Sequence, residues 1–449
     1  MKLLHKIAFL LLISGLFITS ACKKSFFTDA NTNPNVLNNV TPNLLLPTVE
    51  AALAYTQGGD ISRYSALLMQ QMYGANSQSQ QYYIYNFNPG NFDNLWPDMY
   101  TSALENDYTL IKISDAGGYK AYGGIARIIM AYGLQISVDL WGDIPYSQAF
   151  RGNADDAVFH PVYDKATALY DSVAALIDAG TALLQASGAG ALTPSADDVI
   201  YGGDAAKWIK FGHAIKARLA IHQSKSSAAM ASTALAEIAQ SFTSNDDNAA
   251  YVFGTTQTSA NSWYQFYRDR PGDENFTSST LAATLTADHD PRYSAYNMDG
   301  SASYFNQINS PVELITYDEL LFMSAEATLR ASGNIASAQG LYQSAITADM
   351  TKLGIPQAAI TTYLATHGTL PVTVSAAIDT VASQEYIALF LNPEAWTLWR
   401  RTGSPALVTT APGNAIPRRL LYPQTEINFN GENVPSGVTL YSPKIFWDN

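Results

Sequence analysis

The sequence predicts an all-α-dominated protein in which helices pair into stacked helix-turn-helix units, with long irregular insertions between the pairs. Three observations carry this prediction. Apolar residues recur at three- and four-residue spacing through most of the chain, the period of a helix with one buried face. Small residues are scattered through those same windows, which lets helices cross closely. Between them lie stretches rich in Asn, Asp, Gly, Pro and aromatics, chiefly Phe242 to Asn309 and Leu407 to Asn449. Helix pairs of this kind suggest tetratricopeptide-like repeats, of which three or four divergent units fit the spacing.

A first helix is expected from near Thr41-Pro42 to Tyr55 and a second over Ile61 to Met72, with Gln78 to Tyr85 as a polar-aromatic loop or short strand. Tyr119 to Val138 places Ile125, Ile128, Ile129, Tyr132 and Ile136 on one stripe. Pro161, suited to the first turn of a helix, opens a segment to Leu184 that repeats Tyr163, Ala166, Tyr170, Val173 and Ile177 at helical spacing. Ala205 to Ile221 with Ala228 to Ala239, and Thr316 to Leu329 with Ile335 to Met350, read as further pairs. Gln384 to Leu391 and Pro393 to Arg400 read as short C-terminal helices. No internal boundary is visible, so residues 41–449 are expected as one fused body, with ligand-facing insertions near 76–100 and 242–310.

Composition narrows the function. Only 14% of the 449 residues are charged, while 12% are aromatic, the reverse of a disordered chain. The net charge of −13 lacks the basic footprint that binding phosphates requires, so nucleic acid is excluded as a partner. A single cysteine rules out an intrachain disulfide framework and a multi-thiolate zinc site.

That cysteine is informative where it stands. Lys2 and Lys6 flank the start of an apolar run from Ile7 to Ile18, followed by Thr19-Ser20-Ala21-Cys22. The run is short for a permanent span and reads as a signal peptide. Small residues before a lone cysteine resemble a bacterial lipoprotein signal, giving residues 1–21 as leader, Cys22 as the lipidated residue and 22–40 as tether. No later segment reads as apolar and long enough to cross a membrane.

The chain carries no glycine-rich phosphate cradle and no metalloprotease or serine-hydrolase signature. No cofactor or metal site is expected. His213 and His222 fall on opposite faces of one predicted helix, unsuited to a shared metal. An all-helical glycoside hydrolase would need two opposed carboxylates, and Asp98, Glu105, Asp269 and Glu274 are the candidates, but nothing in the sequence selects a pair. The aromatic clusters are more telling. Trp96, Asp98 and Tyr100 stand in Asn91–Tyr100; Trp263, Tyr264 and Tyr267 in Asn261–Arg268; Arg292 and Tyr296 in Pro291–Tyr296. Flat rings can stack on a sugar while Asp and Arg bond its hydroxyls, and these eight residues are the candidate ligand site. Asp139, Trp141 and Asp143 in DLWGDIPY, with Arg418 and Glu426 in the C-terminal segment, are expected to be structural.

Together these residues resemble the SusD/RagB-type outer-membrane nutrient-binding lipoproteins of Bacteroidetes. The resemblance rests on Cys22, on NTNPNVLNNVTPNLLL (31–46), DLWGDIPYSQAF (139–150), MSAEA (323–327), EAWTLWRRTG (394–403) and IPRRLLYPQTEIN (416–428). It implies four tetratricopeptide-like units and a surface-facing lipid-anchored protein that is not an enzyme. It implies capture of an oligosaccharide, or in some branches a peptide, for delivery to a SusC-like TonB-dependent transporter. Lys23-Lys24-Ser25 departs from the acidic residues that often follow the cysteine of surface-exported lipoproteins in this phylum.

Overall fold

The structure, a computed structural model, describes residues 40–152, 157–188, 192–301 and 303–448. The leader, Cys22 and nearly all of the tether lie outside the described residues. From Pro42 onward the chain forms one compact unit. Its main helices are α1 (Pro42–Thr56), α2 (Ser62–Leu68), α3 (Glu105–Gly117), α4 (Lys120–Trp141), α5 (Ala166–Gln185), α6 (Ala205–His222), α7 (Ala228–Ile238), α8 (Ser262–Asp269), α9 (Tyr317–Ser332), α10 (Ile335–Lys352), α11 (Gln357–His367), α12 (Val374–Ala388) and α13 (Glu394–Thr402).

Local chemistry sets these elements. Asp204, Ser227 and Asn334 accept backbone N–H bonds at the starts of α6, α7 and α10, satisfying donors that the first turn leaves open. Gly118 and Gly333 end α3 and α9 with φ of 69° and 66°, a left-handed cap that glycine takes without steric cost. Each glycine turns the chain straight into the next helix, so α3/α4 and α9/α10 pack as pairs. At the crossing of α4 and α5, backbone nearly meets backbone. A Cβ on Gly124 would lie 2.8 Å from the Gly180 carbonyl oxygen, and one on Gly180 would lie 2.7 Å from that of Gly124. A hydrophobic core gathers Phe322, Leu329, Tyr342, Ile346, Ile360, Tyr363 and Val381 from α9 to α12.

Two small antiparallel sheets brace the insertions. β1 (Tyr73–Gly74) pairs with β3 (Glu274–Asn275), and β2 (Ala249–Val252) pairs with β4 (Pro311–Ile315). The early helices are also hooked to the late ones. The Gln71 amide donates to the carbonyls of Tyr386 and Leu389 and accepts from the Leu391 N–H, across 315 to 320 residues of chain. Ser62 donates to the Leu391 carbonyl at 2.5 Å and accepts from the Trp263 indole at 2.8 Å.

The fold differs from the sequence expectation at definable places. Ser77–Tyr83 is a short helix rather than a loop or strand, with Tyr82 buried. Pro161 does not open α5: Asp164 bridges back to Ile144, and the helix begins at Ala166. Residues 57–61 form a π turn, so the second helix begins at Ser62 and ends at Leu68. α11 has no counterpart among the expected helices, and α12 begins ten residues before Gln384. Contrary to expectation, α5 is long and apolar enough to pass for a membrane span by composition. It packs against α4 instead, with Leu169, Tyr170, Val173 and Ile177 buried.

Candidate functional site

Three segments distant in sequence converge on one cleft of about 450 Å³, within the range of small-molecule sites. Its walls are the end of α1 and the following turn (Tyr55, Thr56, Gly59, Asp60), Arg63 of α2, the Asn94–Asp98 stretch, and α8 with Ser262, Gln265, Phe266, Asp269 and the adjoining Arg270. Two π-helical segments border it. Gln57–Ile61 carries a non-helical Gly59 (φ −92°, ψ −113°), and Asp98–Leu104 begins at a cleft residue. Such departures from regular helix gather at functional sites because they re-aim side chains.

The floor is fixed by bonded side chains. Arg63 reaches Glu274 at 3.1 Å and Asp60 at 3.3 Å, and its guanidinium lies 3.8 Å from the centroid of the Phe266 ring. Asn261 starts α8 by accepting from the N–H groups of Trp263 and Tyr264, at 2.8 and 3.1 Å. On the wall, Tyr55 is 48% exposed. Partial burial, then Asp60, Asp98 and Asp269, raise its phenol above the ordinary range. Burial and then Asp60 likewise raise the Asp98 carboxyl. Three carboxylates therefore act together on the Tyr55 hydroxyl.

Of the eight ligand-site candidates, the structure brings only Asp98 to the cleft wall. Trp263 sits beneath it, 3% exposed. Tyr264 and Tyr267 are half-buried on α8, away from the lining. Trp96 is buried against Trp141, ring centroids 5.0 Å apart, and stacks on Tyr100 at 4.5 Å, whose hydroxyl bonds the Pro145 carbonyl. Arg292 and Tyr296 lie in the core. Arg292 is gripped by Asp290, Asp349, Gln384 and the Tyr363 hydroxyl, and Tyr296 packs on Phe390. Their burial removes both from contact with any ligand in this conformation.

The sequence marks out neither Tyr55, Asp60, Gln265 nor Phe266 as lining residues, and marks Asp269 only as a hydrolase candidate. A signal existed for the last three. Ser262, Gln265, Phe266 and Asp269 recur at i, i+3, i+4 and i+7, one face of the helix, whereas Trp263 and Tyr267 lie on the face turned inward. Asp98 and Asp269, two of the hydrolase candidates, share the cleft, and Glu274 is taken up by Arg63 and Ser79.

The residues expected to be structural form a separate cluster. Asp143 accepts from the Ala166 N–H at 2.9 Å and from Lys165 at 2.8 Å, and so caps α5. Trp141 is buried and donates to the Leu421 carbonyl at 3.0 Å. Asp139 accepts from the Tyr170 hydroxyl at 2.5 Å and the Trp447 indole at 3.0 Å. Arg418 pairs with Asp448, and Glu426 accepts from the Tyr163 hydroxyl at 2.8 Å. His213 pairs with Glu237, while His222 is buried beside Glu394. Among the described residues, no group of three or more His, Cys, Asp or Glu side chains is placed to hold a metal.

Comparison with known proteins gives a consistent picture. A family model for SusD-like proteins, described as starch-binding and associating with the outer membrane, matches residues 34–304 and 297–423. A SusD/RagB family protein from Bacteroides thetaiotaomicron is 23% identical with a TM-score of 0.75, over 91% of this chain and 99% of that one. A chitin-binding protein is 24% identical with a TM-score of 0.77, over 91% and 100%. A chitin-binding SusD homologue from Flavobacterium johnsoniae is 20% identical with a TM-score of 0.71, over 91% and 97%. No curated protein matches the sequence.

Proposed function

The chain belongs to the SusD-like family, and from that premise we propose that it captures oligosaccharides at the outer membrane and passes them to a TonB-dependent transporter without chemistry. Cys22 supplies the lipid anchor, and a SusC-like barrel is the partner. The observation that carries the reading is the cleft. A half-exposed Tyr55 ring offers the flat apolar face that a pyranose stacks on, and Asn94, Asp98, Gln265 and Asp269 supply hydrogen-bonding groups around it. Two structural relatives are described as chitin-binding, and the family description names starch, so both glycan classes belong in the first panel.

The test is calorimetric titration of the chain lacking residues 1–22 with chito- and malto-oligosaccharides, with reducing ends assayed on the same samples. Saturable binding without product is expected, weakened about tenfold or more in Tyr55→Ala, because burial of one aromatic contact is worth a kcal/mol or more. Release of reducing ends would overturn the capture reading and turn attention to Asp98 and Asp269. Peptide binding in place of glycan binding would move the protein to another ligand class within the same transport role.

A further inference from the structure

We propose that the binding surface continues from the cleft onto an uncharged tyrosine platform around Tyr73, Tyr83 and Val408, which suits a long neutral glycan chain; this rests on the glycan-capture reading above. Two stretches of sequence build the platform, residues 73–92 and 402–417, and neither contains an Asp, Glu, Lys or Arg. The Tyr73 and Tyr83 rings meet edge to face, 5.0 Å apart, and both are half-buried. Ile84 and Val408 are exposed on the same two stretches. Thr410 joins them: its hydroxyl donates to the Tyr83 carbonyl, and its N–H donates to the Tyr85 hydroxyl at 3.2 Å. Tyr441 comes from a third uncharged stretch, 433–443. Burial and then Tyr73 and Tyr85 raise the Tyr83 phenol, and burial and then Tyr85 raise that of Tyr441. The groups that act on these phenols are other phenols.

The platform is held in place. Gln70, Ser77 and Tyr85 take left-handed backbone, with φ of 56°, 53° and 62°, a costly conformation that persists where surrounding bonds enforce it. The Gln70 amide donates to the Val408 carbonyl at 2.6 Å and accepts from the Thr280 hydroxyl at 2.7 Å. Ser77 donates to Asp273 at 3.0 Å. The same segment adjoins the cleft. Asn76 donates at 2.8 Å to the carbonyl of Gly272, just beyond the cleft residue Arg270, and Ser79 accepts from Arg63 of the cleft floor at 3.3 Å. Rings fixed beforehand lose little freedom on binding. They offer a pyranose apolar contact and phenol hydroxyls together. A uronic acid or an amino sugar would shed water from its charge there and find no counter-charge. A short oligosaccharide would occupy the cleft alone.

The experiment titrates the protein with trimers and hexamers of two neutral series, malto-oligosaccharides and N-acetylated chito-oligosaccharides, and of galacturonate. In whichever neutral series binds, the hexamer is expected to bind about tenfold more tightly than the trimer, with no such gain in the galacturonate series. Tyr83→Ala should bring the hexamer close to trimer affinity and leave the trimer unchanged, whereas Tyr55→Ala weakens both lengths. Val408→Asp alters an exposed side chain and sets a charge on the platform. It should abolish the length gain too, so the test does not hang on the folding of Tyr83→Ala. Equal affinities for the two lengths, or a gain that survives both platform variants, would overturn the platform while leaving capture in the cleft standing. An equal gain in the galacturonate series would overturn the preference for a neutral chain. Binding of no neutral oligosaccharide at either length would sink both readings.

Discussion

Charged side chains are handled in opposite ways in the helical body and at the cleft. In the body they are buried and matched. Arg218 meets Glu319 at 2.7 and 2.8 Å, Arg401 meets Glu326 at 3.1 and 2.8 Å, and His222 meets Glu394 at 2.8 Å. Arg292 is held between Asp290 and Asp349, and Lys352 between Glu313 and Asp318. At the cleft, Asp98 and Asp269 stand in solvent on the wall. A charge matched within the body fixes one arrangement of helices. A charge left open on a wall is free to meet something that arrives. The same residue types thus serve scaffold in one region and recognition in the other, and burial with a partner separates the two.

The sharpest way to break this contrast is to remove half of a buried pair. Arg401→Met leaves Glu326, among the described residues, with only the partly exposed Arg330 and should cost about 3–5 kcal/mol in chemical denaturation. A comparable loss in Asp98→Asn would erase the distinction.

Comparable in size is the pH response. Burial pushes the Glu326 carboxyl up, but Arg401 and Arg330 overcome it and hold it near 2; His222 and Arg218 do the same for Glu394. Both values lie below those of an unfolded glutamate, so this stabilisation is complete above about pH 5. It should be lost progressively as pH falls toward 2. Glu50 behaves oppositely, since burial and then Asp198 raise it to about 10. Its folded-state value is above the unfolded one, so its contribution is full below about pH 4 and declines as pH rises. Glu50→Gln should therefore gain roughly 1.4 kcal/mol per pH unit on the parent between pH 5 and pH 9. A parallel pair of pH–stability curves would refute that assignment.

A smaller effect is expected where no charge is involved. Gly124→Ala drives a methyl group into the Gly180 carbonyl and the Leu184 side chain. It should cost about 1–3 kcal/mol, with oligosaccharide affinity of the folded protein unchanged, because α4 and α5 lie outside the cleft lining.

The helix-pair architecture was legible because periodicity and glycine placement report directly on packing. The stripe through Ile125, Ile128, Ile129 and Tyr132 lies in α4, whose residues from Ala121 to Trp141 are buried save Arg127. What escaped was decided by tertiary partners. Pro161 carries a proper helix-start signal, yet the chain around Asp164 is claimed by Ile144, Tyr146 and Ser147. In α11, Ile360, Tyr363 and Leu364 show the helical period, but the short helix lacks a side-chain cap to mark its start. For the site, sequence found two of the converging segments and not their faces. Aromatics stand on both sides of α8, and only the position of Ser62 and Arg63 beneath it decides which side is floor and which is wall. Arg292 illustrates the limit: an arginine among tyrosines suits a ligand equally well, until Asp290, Asp349 and Gln384 are seen to enclose it.

The hooks of Ser62 and Gln71 onto residues 386–391 bear on the order in which the molecule assembles. Stacked repeats ordinarily let structure spread from one unit to its neighbour. Here Ser62, which supports both α8 and the turn beneath the cleft, donates its hydroxyl hydrogen to a carbonyl 329 residues downstream. Closing so long a stretch of chain is slow compared with pairing adjacent helices. Competence to bind should accordingly emerge in the final kinetic phase of refolding, after helical signal has recovered.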